Sequence, residues 1–493
     1  MTAKAETNSR SSSTTGSAEK ITLAAHYKST DVTQDKYPDD EVASDSEVQI
    51  HYRSCSWQRT AGLLFSEYIC LAIMSFPWSY SVLGLVPGLI LTVFVALTVL
   101  YTGLVIGDFC AKYPHITNVC DIGQHLFWGK KWAWYATAVC FLLNNTLIQA
   151  LHVLVGAKYF NTISDNTTIC SLVFSVVTII VCFLFSLPRT FSSMSGIAYF
   201  SALTMFVAVI LSVIFAAIQD HPEGFHPEVP VQWNLWPEKG TTYVSGMSAF
   251  LNIVYTFVGQ ITYPSFISQM KEPKDFKKAL YLVTVCELIT FALAGSIVYV
   301  YVGNAYITAP AFGSLIGNYK KIAFSFALPT IFFLGALYGN VSSQFIFLRI
   351  FDEKSRHRNN HTKRGWTVWV LLNLGLWAIA FVIAEVIPFF SDLLSLMSSL
   401  FDCWFGFVFW GVAYFQLRKS HYVETLGEQD ISFLEIFKKE SFVGKLEFIS
   451  NFALILIGIY ILGPGLYASV DSIVLSYQSH LYGSVFTCVS NAI

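Results

Sequence analysis

Three carboxylates stand in the interior of long apolar stretches of this chain: Glu67, Glu287 and Asp402. An ionisable group in such a setting is costly and points by default to a functional role. The chemistry open to it is to carry a proton or to pair with the ammonium of a ligand. Asp108, Glu385 and Asp392 lie near the ends of such stretches, where water or a structural partner serves them. Glu67 leads the three, because it stands ten residues before Pro77 in the same stretch, beside an interruption. Asp402 and Glu287 are the other proton-coupling candidates.

The interruption has a counterpart. Ser75-Phe76-Pro77-Trp78-Ser79 breaks one stretch, and Thr262-Tyr263-Pro264-Ser265-Phe266 breaks a later one. Proline lacks an N–H and suits the first turn of a helix, so each starts a second half-helix after a short unwound segment. The expected unwound segments are 73–76 and 258–263. Singly, such prolines often just kink packed helices; the matched pair, with Gly259 beside the second, favours two broken helices. Free backbone groups at membrane depth need a partner, and a zwitterion supplies both kinds. Its carboxylate meets N–H groups at a half-helix start, and its ammonium meets the freed carbonyls. The expected ligand-binding residues are Ile73, Met74, Ser75 and Phe76 in the first break, with Tyr255, Phe257, Val258, Gly259 and Gln260 at the second. Trp78, Tyr80 and Tyr263 stand close by, as further aromatic walls or as ordinary packing.

The elements that position these residues follow from hydropathy. Apolar residues make up 54% of the 493 and charged ones 13%, and mean hydropathy is +0.54. A soluble chain carries about 25% charge, so a soluble multidomain enzyme is excluded. A net charge of −2 offers no basic stripe for nucleic acid. Eleven apolar runs reach the length of about 20 residues that crosses a bilayer: 62–82, 87–109, 132–160, 170–187, 197–218, 243–266, 280–302, 323–347, 366–386, 389–415 and 448–469. With the N-terminus cytoplasmic, 26 of the 30 Lys and Arg fall on the cytoplasmic side, as the positive-inside rule requires. The C-terminus is then external. Pro77 falls in the outer half of span 1 and Pro264 in the inner half of span 6, the placement of an inverted repeat.

The expected organisation is a disordered cytoplasmic tail over 1–55, a transporter core of spans 1–10 over 56–417, a cytoplasmic loop over 418–446, and span 11 with an external tail over 447–493. Asn166 heads the one glycosylation sequon on the external side; those of Asn144, Asn340 and Asn360 fall in helices or the cytoplasm. The ten cysteines show no C-x-x-C pair, so neither a metal site nor a disulfide framework is expected.

Several segments resemble the amino acid/auxin permease (AAAP) family, particularly its fungal neutral and aromatic amino acid permeases. Met74-Ser75-Phe76-Pro77 with Leu83-Gly84-Leu85-Val86-Pro87-Gly88 is similar to the family's span 1 and its exit. Ser265 to Phe276 resembles the end of span 6, Ala327-Leu328-Pro329-Thr330 and Arg349-Ile350-Phe351 resemble span 8, and Ala384 to Leu396 resembles spans 9 and 10. The resemblance covers about 55–417 and, more loosely, continues to 470. It implies an all-α membrane protein with a five-plus-five inverted repeat of the amino acid–polyamine–organocation type, broken at helices 1 and 6. It also implies proton-coupled uptake of amino acids at the plasma membrane, with the vacuolar membrane as alternative. Where the family pattern has His, Glu and Lys this chain has Gln260, Gln269 and Gln344, and Ala72 replaces a common Gly, departures that bear on coupling.

The expected function is therefore secondary active transport of neutral, bulky or aromatic amino acids by alternating access; the alternative is an amino-acid sensor or uncoupled facilitator on the same scaffold. No enzyme motif is present. No cofactor is expected beyond the proton as coupling ion, and the partners are an amino acid and the lipid bilayer.

Overall fold

A computed structural model of the chain describes residues 55–116, 118–165, 168–189, 195–352, 355–427, 431–479 and 485–492. The expected disordered tail, apart from Cys55, and the Asn166 sequon lie outside these residues. The described chain is helical, with one isolated bridge between Cys55 and Met270. In order the helices are α1 (Trp57–Tyr68), α2 (Phe76–Leu83), α3 (Leu85–Lys112), α4 (Val119–Leu126), α5 (Lys131–Ser164), α6 (Ser171–Ser186), α7 (Ser195–Ile218), α8 (Tyr243–Phe257) and α9 (Tyr263–Gln269). They continue as α10 (Phe276–Val302), α11 (Gly317–Ile350), α12 (Arg356–Asn359), α13 (Lys363–Val386), α14 (Phe390–Met397), α15 (Phe409–Leu426), α16 (Phe433–Lys439), α17 (Phe442–Tyr460) and α18 (Leu466–Gln478). A π-helical stretch, Ser398–Val408, joins α14 to α15, and a shorter one, Ile461–Gly465, joins α17 to α18.

The distribution of side chains is that of a membrane bundle. Asn145, Gln149, Asn252, Gln260, Asn340, Asn373 and Asn451 are buried, while Ile180, Leu184, Leu371, Leu374 and Ile459 are exposed. In water the preference runs the other way; against lipid, polar groups turn inward to find partners. Eight of the described helices are long and apolar enough to cross a membrane, and nine spans result when the bent pair α1 and Leu71–Leu83 counts as one. Two of the eleven expected crossings fall short of that criterion. Helix α6 has 16 residues, and α8 has 15 before the chain breaks.

Short α6 leaves its last carbonyls inside the bundle, and neighbouring side chains supply the donors such ends require. Trp369 Nε1 donates to the Leu187 carbonyl at 2.9 Å, and Asn340 Nδ2 donates to the carbonyls of Ser186, at 3.0 Å, and Pro188. The peripheral carboxylates are also partnered. Asp108 pairs with Lys277 at 2.8 Å, Glu385 accepts from Ser175 at 2.6 Å, and Asp392 accepts from Ser472 and Ser476, each at 2.6 Å.

One sequence expectation is corrected here. Cys170, at the start of α6, forms a disulfide with Cys488, 318 residues later. A lone long-range pair leaves no spacing pattern to read. The same C-terminal segment is held by Asn161 Nδ2, which donates to Asn491 Oδ1 at 2.8 Å, and by the buried Lys158, whose Nζ donates to the Asn491 carbonyl at 3.4 Å.

Candidate functional site

The first span opens at Ile69 and Cys70, the latter extended (φ −123°, ψ 177°). Leu71–Ser75 then winds as a 3-10 helix, and α2 begins with Pro77 in its first turn. Segment 73–76 is thus tightened, and the opening lies a few residues earlier than expected. The reason is local: Pro77 has no N–H for the Ile73 carbonyl, and the Phe76 N–H takes that carbonyl in a three-residue turn. The mismatch is displaced to the junction with α1, where the two pieces meet at 45°.

The second break runs from the extended Val258 to Thr262, and α9 carries Pro264 in its first turn. Within it the Thr262 N–H donates to the Gly259 carbonyl at 3.1 Å and the Tyr263 N–H to the Gln260 carbonyl at 3.3 Å. Gly259 is required by space: a Cβ there would lie 2.3 Å from the Tyr68 hydroxyl. The two breaks are therefore in direct contact. On the side of α1 and α9, the backbone of Cys55 adds a second tie, accepting from Lys271 at 2.9 Å and donating to Gln269 at 3.1 Å.

A cavity of about 40 Å³ opens against the first break. It is lined by Glu67, Cys70, Leu71 and Ala72 from the break, Tyr255 from α8, and Ile148, Leu151, His152 and Val155 from α5. Ile331, Leu334 and Tyr338 of α11 complete it. That volume holds a few water molecules, so a ligand of amino-acid size requires the walls to part. Leu71 and Ala72 begin the 3-10 segment, where the Ala72 N–H meets the Cys70 thiol. Glu67 is held from two sides: Thr262 Oγ1 lies 3.1 Å from Oε2, and the Tyr338 hydroxyl donates to Oε1 at 3.4 Å. His152 Nδ1 lies 2.8 Å from the Ile148 carbonyl. A carbonyl only accepts, so Nδ1 carries the proton and Nε2 of the neutral ring is an acceptor.

Of the expected ligand-binding residues, the structure brings only Tyr255 to this cavity. Phe76 and Phe257 pack with Tyr80 and Phe291 in an aromatic cluster, with Phe76 to Phe291 at 5.4 Å and Phe257 to Phe291 at 5.0 Å. Ile73, Met74 and Ser75 are buried. Gln260 Nε2 donates to Thr102 Oγ1 of α3 at 3.0 Å, in the interior. Val258 faces Gly406 of the π-helical stretch. Glu287 on α10 is buried with Oε1 unpartnered, within electrostatic reach of Glu67. Asp402, in the π-helical stretch, has Oδ2 unpartnered and acts electrostatically on Tyr255. None of the ion pairs among the described residues includes Glu67, Glu287 or Asp402. Sequence reading missed His152 and Tyr338; His152 was accessible to the rule that flagged the acids, being an ionisable residue inside a span.

Two broken helices in contact, with a small cavity against the first that is largely apolar but carries Glu67, His152, Tyr255 and Tyr338, is an arrangement suited to binding a small zwitterion. Comparison with known proteins agrees. The family model for the transmembrane amino acid transporter protein matches residues 53–429. The chain belongs to that family. An "N amino acid transport system protein" of Neurospora crassa is 32% identical over 451 residues, 91% of each chain. A "Transmembrane transporter" of Gibberella moniliformis is 26% identical over 452 residues, 92% of this chain and 91% of its own. Another of that description, from Fusarium pseudograminearum, is 24% identical over 478 residues, 97% and 96% of the two chains. As a member of an amino acid transporter family with many apolar helices, this is a multi-pass membrane protein whose substrate is a small molecule, and the similarities point to a transporter rather than an enzyme.

Proposed function

We propose that this transporter carries neutral, bulky or aromatic amino acids by proton-coupled alternating access, through eleven spans in a five-plus-five inverted repeat. Helices α6 and α8–α9 supply the two crossings that length alone does not count. The observation that carries the reading is Glu67, which lines the cavity and is tied by Thr262 to the second break. A buried carboxylate without a cation needs a proton or a ligand ammonium, and Glu67 lies where either can reach it. The Leu71 N–H, at the start of the 3-10 segment, suits the ligand carboxylate, and the aliphatic faces of α5 and α11 suit an apolar side chain.

The N-terminus is cytoplasmic and the C-terminus external, at the plasma membrane, with the vacuolar membrane as alternative. The charge asymmetry supports this orientation, as does the Cys170–Cys488 disulfide, since disulfides persist in oxidising compartments. Uptake of a panel of labelled amino acids at two external pH values tests the reading. Accumulation that rises as external pH falls is expected, with tyrosine and other bulky neutral amino acids among the substrates.

An uncoupled facilitator or sensor is the second reading. It is favoured by Gln260, which occupies its place as a neutral partner of Thr102 and leaves no titratable group there. Binding without accumulation at any pH would select it.

A further inference from the structure

Thr262 carries one hydroxyl proton and has two acceptors in reach: Glu67 Oε2 at 3.1 Å and the Gly259 carbonyl at 2.9 Å. A hydroxyl donates to one acceptor at a time. When Glu67 is ionised, the carboxylate is the stronger acceptor, because a charge-assisted bond is roughly twice as strong as a neutral one. Thr262 then turns its proton to Glu67. When Glu67 is protonated, its own O–H can donate to Thr262 Oγ1, and the Thr262 proton is released to the Gly259 carbonyl.

The consequence falls on the second break. The Gly259 carbonyl already accepts from the Thr262 N–H at 3.1 Å. In the protonated state it also takes the hydroxyl, and the Gly259–Thr262 turn is closed by two bonds; in the ionised state it is closed by one. The turn has no slack against α1, since Gly259 abuts the Tyr68 ring. Tightening or loosening it therefore bears on the contact between the two broken helices.

We propose that Thr262 is the positioning residue that transmits the protonation of Glu67 to the break in the second helix, by turning one hydroxyl proton between Glu67 and the Gly259 carbonyl. This rests on the reading of Glu67 as the proton carrier. No proton leaves Thr262. Glu67 takes its proton from one face of the membrane and returns it to the other, and the hydroxyl only rotates. The other groups around Glu67 are Tyr338 of α11, His152 of α5, Tyr255 of α8, Cys70 of the first break, Tyr68 of α1, Tyr263 of α9 and Glu287 of α10. Of Thr262 and Tyr338, the side chains hydrogen-bonded to Glu67, Thr262 also reaches a carbonyl of the second break.

The test uses the full chain in liposomes, with labelled phenylalanine, leucine and glutamine run in parallel. The readout is the ratio of accumulation driven by a pH gradient to exchange at equal pH. This ratio is independent of the amount of protein. Thr262→Val keeps the shape and removes the hydroxyl; it should lower the ratio about tenfold or more, the worth of one hydrogen bond to a charged group. Thr262→Ser should retain the ratio. Glu67→Gln should lose it, and Thr262→Val should add nothing in that background. A normal ratio in Thr262→Val, with loss in Glu67→Gln, overturns the role of Thr262 and leaves Glu67 as carrier. Loss in Thr262→Ser equal to that in Thr262→Val also overturns it, since packing would then be the cause. A normal ratio in Glu67→Gln, or no pH-driven accumulation in the unmodified protein, overturns both.

Discussion

The hydroxyls of Tyr68 and Tyr263 lie 2.6 Å apart in the interior of the bundle. Tyr68 is the last residue of α1, immediately before the first break, and Tyr263 is the first residue of α9, immediately after the second. One hydrogen bond thus joins the two half-helices where each meets its non-helical segment. The ring of Tyr68 is also the surface against which Gly259 is pressed.

Tyr68→Phe and Tyr263→Phe should each lower stability by about 1 kcal/mol, the usual net worth of such a bond. The double variant should cost little more than either alone, because both remove the same contact. Thermal unfolding of the purified protein in detergent reads this out; full additivity would show that the two hydroxyls act separately.

Gly259→Val should abolish substrate binding while the protein still reaches the membrane. The added Cβ would stand 2.3 Å from the Tyr68 oxygen and 2.6 Å from its Cζ, so one of the two broken helices must shift. Because the obstacle is the ring, Tyr68→Leu in the same chain should restore part of the affinity. Unchanged binding in Gly259→Val alone would remove the second break from the site.

Glu67→Gln keeps size and hydrogen-bonding capacity and removes titration. It should lose pH-dependent accumulation and keep exchange of internal for external substrate, which does not require the proton site to be reset. If accumulation persists with its pH dependence, Asp402→Asn is the next variant, since Asp402 is buried with one oxygen unpartnered.

The half-helices α2 and α9 could be read from sequence because proline suits a first helical turn wherever it stands, and both carry theirs there. The position of the first opening could not, because the chain absorbed Pro77 in a 3-10 turn and passed the mismatch back to Ile69 and Cys70. Cavity residues from α5 and α11 were hidden for another reason. Their places depend on helices distant in sequence from either proline meeting the break, and helix rotation within a bundle leaves little trace when apolar residues surround every side. Eleven runs were legible as apolar stretches, but a run of apolar residues does not fix helix length: α6 has 16 residues and α8 has 15.

His152 should set the preference among neutral side chains. It lines the cavity with Nδ1 committed to the Ile148 carbonyl and Nε2 as its acceptor, beside Ile148, Leu151, Val155, Ile331 and Leu334 and near Tyr255 and Tyr338. A side chain with an N–H or O–H satisfies that acceptor, while an isosteric apolar one leaves it buried and unpaired, at a cost of about 1–3 kcal/mol. His152→Leu should shift the ratio of asparagine to leucine uptake, and of tyrosine to phenylalanine, toward the apolar member by about tenfold. Competition assays decide it, and an equal loss of both members of each pair would mark His152 as packing alone.

The C-terminal segment supplies the last prediction. Cys488 is bonded to Cys170, Asn491 is held by Asn161 and Lys158, and Phe486 lies 6.1 Å from Phe381 of α13. These contacts tie a segment beyond α18 to α5, α6 and α13 at once. Val155 and Lys158 are three residues apart on α5 and so share a face, which puts the strap one turn beyond the cavity wall. Removing the bond with Cys170→Ala and Cys488→Ala should destabilise the protein by roughly 2–4 kcal/mol, read as a lower unfolding midpoint without reductant. On intact cells, an impermeant phosphine followed by an impermeant maleimide should label both cysteines, because a disulfide that persists must face away from the reducing cytosol. Labelling only after permeabilisation, in protein that surface biotinylation places at the plasma membrane, would put the C-terminus inside and reverse the orientation drawn from the Lys and Arg distribution.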